Sequence, residues 1–375
     1  MILNKITRTI KRQLLDMIGW HTSRKIVVIE SDDWGSIRMP SKEVYHQLLK
    51  KGIKVDRCPY AKYDSLANEQ DLSFLFETLN SVRDHRDSPA RLTANTIVAN
   101  PDFARIRAAN FERYFYEPFT ETLKRYPNHT MSFKLWKQGM EAGIFHPQFH
   151  GREHVNVDFW LQGLSSGLPE TRAAFDHAVF GISSSITSET RKNYMFALDY
   201  NTVEEKEHKE AVLEAGADLF KTIFGYFSES FIAPAYTWSD SNEQTLRKKG
   251  IKTFQGNPYQ NRPQIGNNVH EKLMHYIGEK NKNGQTYLVR NAYFEPTLMK
   301  REAAKDDCLK RINWAFKMKK PAIIGAHRVN FIGNIENSNR DKNLKSFHSL
   351  LNTIVKKWPD VEFMTSDELG NLINR

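Results

Sequence analysis

The sequence contains few cysteines and no long hydrophobic run. Its 375 residues include two cysteines, Cys58 and Cys308, far apart along the chain, so no disulfide framework is expected and a reducing compartment fits. No stretch of about 18 apolar residues occurs, which predicts that no helix spans a membrane. The sequence also lacks internal repeats and zinc-finger, helix-turn-helix or aromatic-basic RNA-binding signatures, so no nucleic-acid partner is expected.

Positive charge is in excess but is spread along the chain. Lysine and arginine number 54 against 44 aspartates and glutamates, for a formal net charge of +10. We interpret this excess as attraction to acidic partners such as anionic glycans, nucleotide sugars or phospholipid surfaces. With 40% hydrophobic residues, the chain is long enough for one large domain or two small ones. We expect residues 23–375 to form one domain.

Residues 1–22 have the pattern of a basic amphipathic helix. Apolar residues recur at helical spacing and basic residues occupy the other faces: Ile2, Leu3, Ile6, Ile10, Leu14 and Ile18 against Lys5, Arg8, Lys11 and Arg12. The segment lacks the continuous apolar core of a signal peptide, so we expect a cytoplasmic protein. Two interpretations stay open: the apolar stripe packs against the rest of the protein, or it makes a weak contact with the inner membrane surface.

Two adjacent carboxylates follow an apolar run near the N-terminus. The β-branched run from Ile26 to Ile29 predicts a buried strand, and Asp32 and Asp33 come just past it, at the mouth of a sheet or barrel. Neighbouring like charges make each other harder to ionise, so such a pair usually has a cation beside it or a division of roles. A turn followed by a helix cap is the alternative interpretation.

Three histidines are spaced four residues apart, at His146, His150 and His154. On a helical turn, residues at i and i+4 share a face, where two imidazoles can bind one Zn²⁺-like ion. With one carboxylate, they would leave coordination positions open for water and substrate, as in a catalytic site. The spacing allows either pair, His146 with His150 or His150 with His154, and surface or packing roles are the alternative.

In these two motifs and their order, the sequence resembles the polysaccharide deacetylase (NodB-like) superfamily, carbohydrate esterase family 4. The resemblance implies that Asp32 is the catalytic base and that Asp33, His150 and His154 bind a divalent ion, Zn²⁺, with His146 in a packing or neighbouring position. It also implies an α/β fold, the irregular (β/α)7 barrel of that superfamily, with inserted helices and loops.

Two later segments extend the resemblance. The apolar strand-like run from Lys320 ends in His327, which by resemblance is the general acid. The run from Phe231 to Tyr236 keeps the strand, proline and aromatic of a further motif and implies an oxyanion contact from the backbone N–H of Tyr236. That motif lacks the arginine that usually orients the base. The candidates to replace it are Arg290, Arg152 and Arg328.

Elsewhere the sequence pattern predicts alternating helices and strands. Among these elements are a strand near 179–183 and turns over 256–268, which is rich in Asn, Pro and Gln. Thr365 followed by Glu368 predicts a capping box at the start of a last helix.

The resemblance implies a metal-dependent hydrolase that removes an N-acetyl group from a sugar, with an acetylated carbohydrate as substrate. Asp32 would accept a proton from water, and protonated His327 would donate one to the departing amine. Two alternatives stay open. One is the same chemistry on a non-sugar amide or an ester, and the other is a non-catalytic carbohydrate-binding relative that has lost the orienting arginine.

Overall fold

The computed structural model describes residue 15, residues 17–299 and residues 301–375. Of the amphipathic helix expected over residues 1–22, residues 1–14 and 16, with all four basic positions, lie outside the described residues, and residues 17–22 are described and are not helical. The strands are β1 (Lys25–Trp34), β2 (Leu92–Ile97), β3 (Ala99–Pro101), β4 (Tyr116–Pro118), β5 (Phe145–Gly151), β6 (Ser230–Ile232), β7 (Thr253–Gly256), β8 (Tyr259–Gln264), β9 (Asn267–Met274), β10 (Thr286–Val289), β11 (Ala292–Tyr293), β12 (Ala322–His327) and β13 (Val361–Met364).

Helices alternate with most of these strands. They are α1 (Lys42–Lys50), α2 (Pro59–Tyr63), α3 (Glu69–Asn80), α4 (Phe103–Ala108), α5 (Phe119–Arg125), α6 (Ser132–Glu141), α7 (Val157–Ser165), α8 (Pro169–Asp176), α9 (Val203–Phe224), α10 (Asp240–Lys248), α11 (Arg301–Lys317), α12 (Asn337–Lys357) and α13 (Ser366–Ile373). Within the described part of the chain, none of them combines the length and the apolar content needed to cross a bilayer.

The main sheet closes into a barrel at the segment that contains Arg290 and Asn291. Its strand order is β10-β7-β6-β5-β2-β1-β12-β11, with β13 paired to β1 off this path, and every pairing in it is parallel. β10 and β11 are two halves of one extended segment, the first paired with β7 and the second with β12. This segment joins the two ends of the path, so the expected irregular (β/α)7 barrel is confirmed.

β1 is the strand around which the candidate site is built. Its side chains from Ile26 to Trp34 are all buried, as is usual for a parallel strand that is covered on both faces. It pairs with β12 on one edge, and on the other edge it pairs first with β13 and then, from Glu30 onward, with β2. The C-terminal end of β1 therefore lies between the ends of β12 and β2.

An aromatic group fixes β5 against β1. The ring of Trp34, at the end of β1, meets Phe145 and Trp136 edge-on, with ring centroids 4.9 and 6.1 Å apart. Such edge-to-face pairs add to the free energy gained from burial. Phe145 begins the strand that carries His150, and β2 lies between that strand and β1, so this packing links the histidine strand to the carboxylate strand across β2.

Two segments outside the barrel pack together over its mouth, residues 39–61 after β1 and residues 179–195 after α8. With two neighbours they form a buried apolar group that we call the cap cluster: Met39, Leu48, Ile53, Val55, Ala174, Val179, Ile182, Ile186 and Ile335.

Two predicted elements are wrong. Residues 179–183 form no strand; Val179 and Ile182 are buried in the cap cluster, and a short apolar run does not by itself distinguish a strand from other buried chain. The turns predicted over 256–268 are replaced by the antiparallel hairpin β8–β9, whose register shifts near Pro263. A proline is tolerated there because edge strands and bulges do not need its N–H.

The capping box of Thr365 and Glu368 is confirmed.

Candidate metal centre

The ends of three parallel strands bring the predicted site residues to one mouth of the barrel. Asp32 and Asp33 lie at the C-terminal end of β1, His150 near the end of β5, and His327 at the end of β12. Asp32 is the register partner of His327. The carboxyl ends of neighbouring parallel strands share one edge, which explains why residues so distant in sequence meet.

A local irregularity turns both carboxylates of the pair into the same cavity. Adjacent side chains on a regular strand point to opposite faces, yet Asp32 and Asp33 both line the cavity at the barrel mouth. The register with β2 shifts between Ser31 and Trp34, and Asp33 has a φ of +75°, a conformation that aspartate tolerates better than most residues. The pair thus belongs to a distorted strand end and not to a helix cap.

The histidine pair is His150 with His154, and it does not lie on a helix. His150 is on β5, and His154 is in the loop that follows. Gly151 between them has a φ of +133°, which is accessible essentially to glycine alone, and this turn brings the two ring centroids to 5.2 Å. His146 lies about 13 Å down the strand, at about 3.3 Å per residue, where its Nε2 is 3.2 Å from Asp367 Oδ2.

Asp33, His150 and His154 converge on one point. Their ligand atoms all lie within 4.8 Å of one another, and the Nε2 atoms of His150 and His154 are 3.6 and 3.2 Å from Asp33 Oδ1. This convergence is the arrangement expected of a site with three protein ligands.

The hydrogen bonding of His150 favours a cation at this point. Its Nδ1 donates a hydrogen bond to the Ile232 carbonyl at 2.8 Å, which leaves Nε2 as the ring nitrogen that faces Asp33. Among the described residues His150 Nε2 has no hydrogen-bond partner, although it faces a carboxylate oxygen. Burial lowers the pKa of His154 to about 4 despite the opposing charge of Asp33, so the His154 ring is neutral at pH 7. Two imidazoles and a carboxylate fit Zn²⁺ or a similar divalent ion.

Arg38 holds the second oxygen of Asp33, a contact that the sequence did not predict. Its Nη2 lies 3.2 Å from Asp33 Oδ2, which leaves Oδ1 facing the histidines. Burial raises the pKa of Asp33, but the positive charge of Arg38 acts against burial and the pKa lies well below its usual value. The carboxylate therefore stays ionised. No motif spacing points to Arg38, because it follows an irregular strand end.

Arg290 fixes Asp32 from the joint between β10 and β11. Its Nη1 and Nη2 donate to the two oxygens of Asp32 at 2.7 and 2.6 Å, and its Nε donates to Glu30 at 2.7 Å. A further hydrogen bond reaches Asp32 Oδ1 from Asn95 Nδ2 at 2.8 Å. Gly325 leaves the room for this guanidinium, since a Cβ there would lie 2.6 Å from Arg290 Cδ.

These contacts keep Asp32 ionised. Burial raises the pKa of Asp32, but the charge and hydrogen bonds of Arg290 lower it by more than burial raises it, and the resulting pKa is about 2. The other two candidate orienting residues contact different groups: Arg152 donates to Glu153 at 2.6 and 2.7 Å, and Arg328 donates to Asp64 at 3.0 and 2.9 Å.

His327 lies between two carboxylates. Its Nδ1 is 2.5 Å from Glu295 Oε1, and its Nε2 is 3.8 Å from Asp32 Oδ2. Burial lowers the pKa of His327, but the charge of Glu295 and its hydrogen bond outweigh burial and raise the pKa to about 9. The ring is therefore protonated at pH 7. Glu295 was not predicted, although its position two residues after β11 is a strand-end signal of the same kind as Asp32.

Tyr236 lies at the mouth in a strained turn. Ala235 and Tyr236 have φ values of +52° and +54°, which cost free energy in residues other than glycine and often mark functional sites. The Tyr236 N–H donates to the Ala233 carbonyl at 3.0 Å. An oxyanion contact from this N–H therefore requires that bond to open.

One cavity of about 240 Å³ is lined by both aspartates of the pair, Arg38, the three site histidines and Tyr236. Another part of its wall comes from the cap segments and is mostly apolar.

Comparison with known proteins gives solved structures alone. No family model matches the chain, and no curated protein matches it. Similar solved structures include a putative polysaccharide deacetylase from Mycobacterium smegmatis, with 10% identity, 95% of this chain and 93% of that chain covered and a TM-score of 0.46. A probable polysaccharide deacetylase from Pseudomonas aeruginosa PAO1 has 8% identity and a TM-score of 0.45, and the match covers 93% of this chain and 91% of that chain.

A third similar structure is a 4-alpha-glucanotransferase from Thermococcus litoralis. It has 10% identity and a TM-score of 0.44, and the match covers 92% of this chain but spans 40% of that enzyme's length. Similarity at these levels carries no argument about function, which must come from the site itself.

Proposed function

We propose that this chain is a metal-dependent deacylase that hydrolyses an amide, an N-acetyl group, on a carbohydrate. The observation that carries the proposal is the convergence of the ligand atoms of Asp33, His150 and His154 within 4.8 Å, beside an ionised Asp32 and a protonated His327. A base, an acid and a three-ligand centre in one cavity are the parts that amide hydrolysis needs. The cytoplasm is the proposed compartment, in keeping with two free cysteines.

Asp33, His150 and His154 would hold the ion. When bound, a divalent ion such as Zn²⁺ lowers the pKa of water towards about 7 and polarises an acyl oxygen. Arg38 keeps Asp33 ionised and turned towards the histidines. The Ile232 carbonyl fixes the tautomer of His150, as hydrogen-bonding partners of metal ligands generally do.

Asp32 is the proposed base. It accepts a proton from water while the water oxygen bonds to the carbonyl carbon, and Arg290 and Asn95 hold its two oxygens in place during this step. Because its pKa is about 2, Asp32 is ionised and free of its own proton across the neutral range.

His327 is the proposed acid. Its Nε2–H donates to the amide nitrogen as the C–N bond breaks, so that the products are a carboxylate and an amine. Glu295 holds the ring through Nδ1 and keeps it protonated. Base and acid thus have opposite protonation states in one cavity, as this chemistry requires.

Arg290 argues against a non-catalytic relative. The chain lacks the arginine usual for the motif at Phe231–Tyr236, yet Asp32 still receives two guanidinium hydrogen bonds, from Arg290. The orienting cation has a different position in the sequence and the same contact with the base.

Metal content tests the proposal, with His146 as the matched control. Purified wild type should hold about one divalent ion per chain, and Asp33→Ala and His154→Ala should hold little. His146→Ala removes a histidine from the same strand and should keep the ion. Wild type should release acetate from N-acetylated oligosaccharides, and Asp32→Asn should keep the ion and lose this release. Loss of the ion in His146→Ala together with retention in His154→Ala would overturn the site.

A further inference from the structure

The cavity wall beside the candidate metal centre is mostly apolar. Six of the side chains that the two cap segments place on it are apolar, Met39, Val55, Ala61, Val179, Ile182 and Met195, and Cys58, Tyr60 and Ser183 of the same segments also line it. The six apolar side chains cannot pair with sugar hydroxyls, which need polar partners. They fit an apolar part of a substrate.

The wall is a preformed part of the fold. Met39, Val55, Val179 and Ile182 are at most 4% exposed and belong to the cap cluster. Gly181 lies so close to Met195 that a Cβ there would be 2.8 Å from its Sδ. Packed side chains of this kind keep their shape without a ligand, so the wall is ready to receive one.

The Met195 end of the wall lies on the metal-ligand side of the cavity. Arg38 Nη1 donates to Met195 Sδ at 3.2 Å, while Nη2 of the same residue holds Asp33. The other end of the wall is Tyr60, whose ring meets His327 edge-on with centroids 5.4 Å apart. The departing nitrogen must lie next to His327 to receive its proton, so the acyl chain, on the other side of the carbonyl carbon, is directed to the Met195 end.

The size of the cavity exceeds the needs of an acetyl group. A cavity of about 150 Å³ is large enough to bind benzene, and this one measures about 240 Å³. It therefore has room for an acyl chain of several carbons beside an ion and a water.

We infer that the preferred acyl group is longer than acetyl, a saturated chain of about four to six carbons, with N-acetyl sugars as slower substrates of the same site. This inference rests on the proposed function and specifies which amide the site cleaves fastest. The hydrolysis is the same: water adds to the carbonyl carbon, the C–N bond breaks, the nitrogen takes its proton from His327, and a short fatty acid leaves as its carboxylate.

A chain-length series tests the inference on the wild-type protein loaded with Zn²⁺. The substrates are N-acetyl-, N-butyryl- and N-hexanoylglucosamine, and release of the free amine is measured. Each buried methylene is worth about fourfold, or about 0.8 kcal/mol, so kcat/KM should rise roughly tenfold or more from acetyl to butyryl. A second series keeps the acetyl group and lengthens an alkyl chain on the sugar, and it should show no such rise.

The outcomes separate this inference from the proposed function. Highest kcat/KM for acetyl, or a rise with the alkyl chain on the sugar instead of the acyl chain, overturns the inference and leaves the deacylase. Failure to cleave any member of either series by a metal-loaded chain overturns the proposed function.

A pair of variants locates the acyl site. Ala61→Leu fills the cavity from α2 and should lower the ratio of kcat/KM for hexanoyl over acetyl at least tenfold. Ala173→Leu adds the same group to a half-buried position that packs against the cap cluster outside the cavity, and its ratio should stay at the wild-type value. Circular dichroism and metal content check that both variants fold. An unchanged ratio in a folded Ala61→Leu would contradict the acyl assignment.

Discussion

Arg290 donates hydrogen bonds to both oxygens of Asp32, 258 residues earlier in the chain, at 2.7 and 2.6 Å. The same guanidinium donates to Glu30, also on β1, at 2.7 Å. One cation thus serves two buried carboxylates. It lies where the barrel closes, so that closure of the fold and orientation of the proposed base depend on one residue.

Replacing Arg290 should move the acid limb of the pH profile. In Arg290→Gln the positive charge that lowers the pKa of Asp32 is gone and burial, which raises that pKa, remains, so activity should begin to fall at a higher pH than in wild type. Loss of alignment should lower kcat about a hundredfold. Stability should fall by about 3–5 kcal/mol, because two buried carboxylates lose their partner.

The control is Arg340→Gln, which removes a buried arginine paired with Asp71 at 3.0 Å. It should destabilise the fold and leave the acid limb in place. An Arg290→Gln protein that is folded, binds metal and shows the wild-type acid limb would contradict the assignment of Asp32.

Glu295 should set the pH above which kcat/KM falls, the basic limb of the pH profile. His327 donates a proton only while it is charged, and its pKa is about 9, so kcat/KM should fall as the pH rises through about 9. Glu295→Gln removes the charge that raises this pKa, so the basic limb should move to lower pH. Profiles of kcat/KM from pH 6 to 10 measure the shift. Identical basic limbs in the two proteins would rule out the contact as the cause.

Gly151 should matter for metal binding because it turns the chain between the two histidine ligands. At a φ of +133°, Gly151→Ala should displace His154 and weaken metal affinity by about tenfold or more. Gly167→Ala is the matched control, since Gly167 also has a positive φ of +71° and open space around its Cα. It should cost about 1 kcal/mol of stability and leave metal affinity unchanged, as measured by titration against a competing chelator.

Cys58 should be the thiol through which the cavity can be blocked. It lines the cavity and is half-buried, whereas Cys308 is fully buried and burial raises the pKa of its thiol. A bulky maleimide should therefore react with Cys58 first and abolish turnover, with metal content unchanged. Cys58→Ser should protect the activity. Inactivation that persists in that variant would show that another group is modified.

The barrel and the convergence of Asp33, His150 and His154 could be predicted from the sequence because their signals are local. A β-branched run ending in carboxylates and a second motif with spaced histidines mark strand ends, and strand ends of a parallel sheet meet. The expectation that His150 and His154 share a face of a helical turn was wrong, however. The two rings meet because the chain turns at a glycine after a strand.

The positively charged residues could not be predicted with the same certainty. Arg290, Arg152 and Arg328 were equal candidates in the sequence, since nothing local shows which guanidinium reaches Asp32. That choice depends on where the barrel closes, a property of the whole sheet. Arg38 and much of the cap segments lie in irregular chain, where hydrophobic residues follow neither the helical period of about 3.6 residues nor the strand period of 2.

The most direct measurement is an anomalous difference map from crystals grown with Zn²⁺ and recorded at the zinc edge. The account predicts one strong peak about 2.0–2.2 Å from Asp33 Oδ1 and from the Nε2 atoms of His150 and His154. A map that lacks density among these three side chains, with a peak instead beside His146 and Asp367, would contradict it.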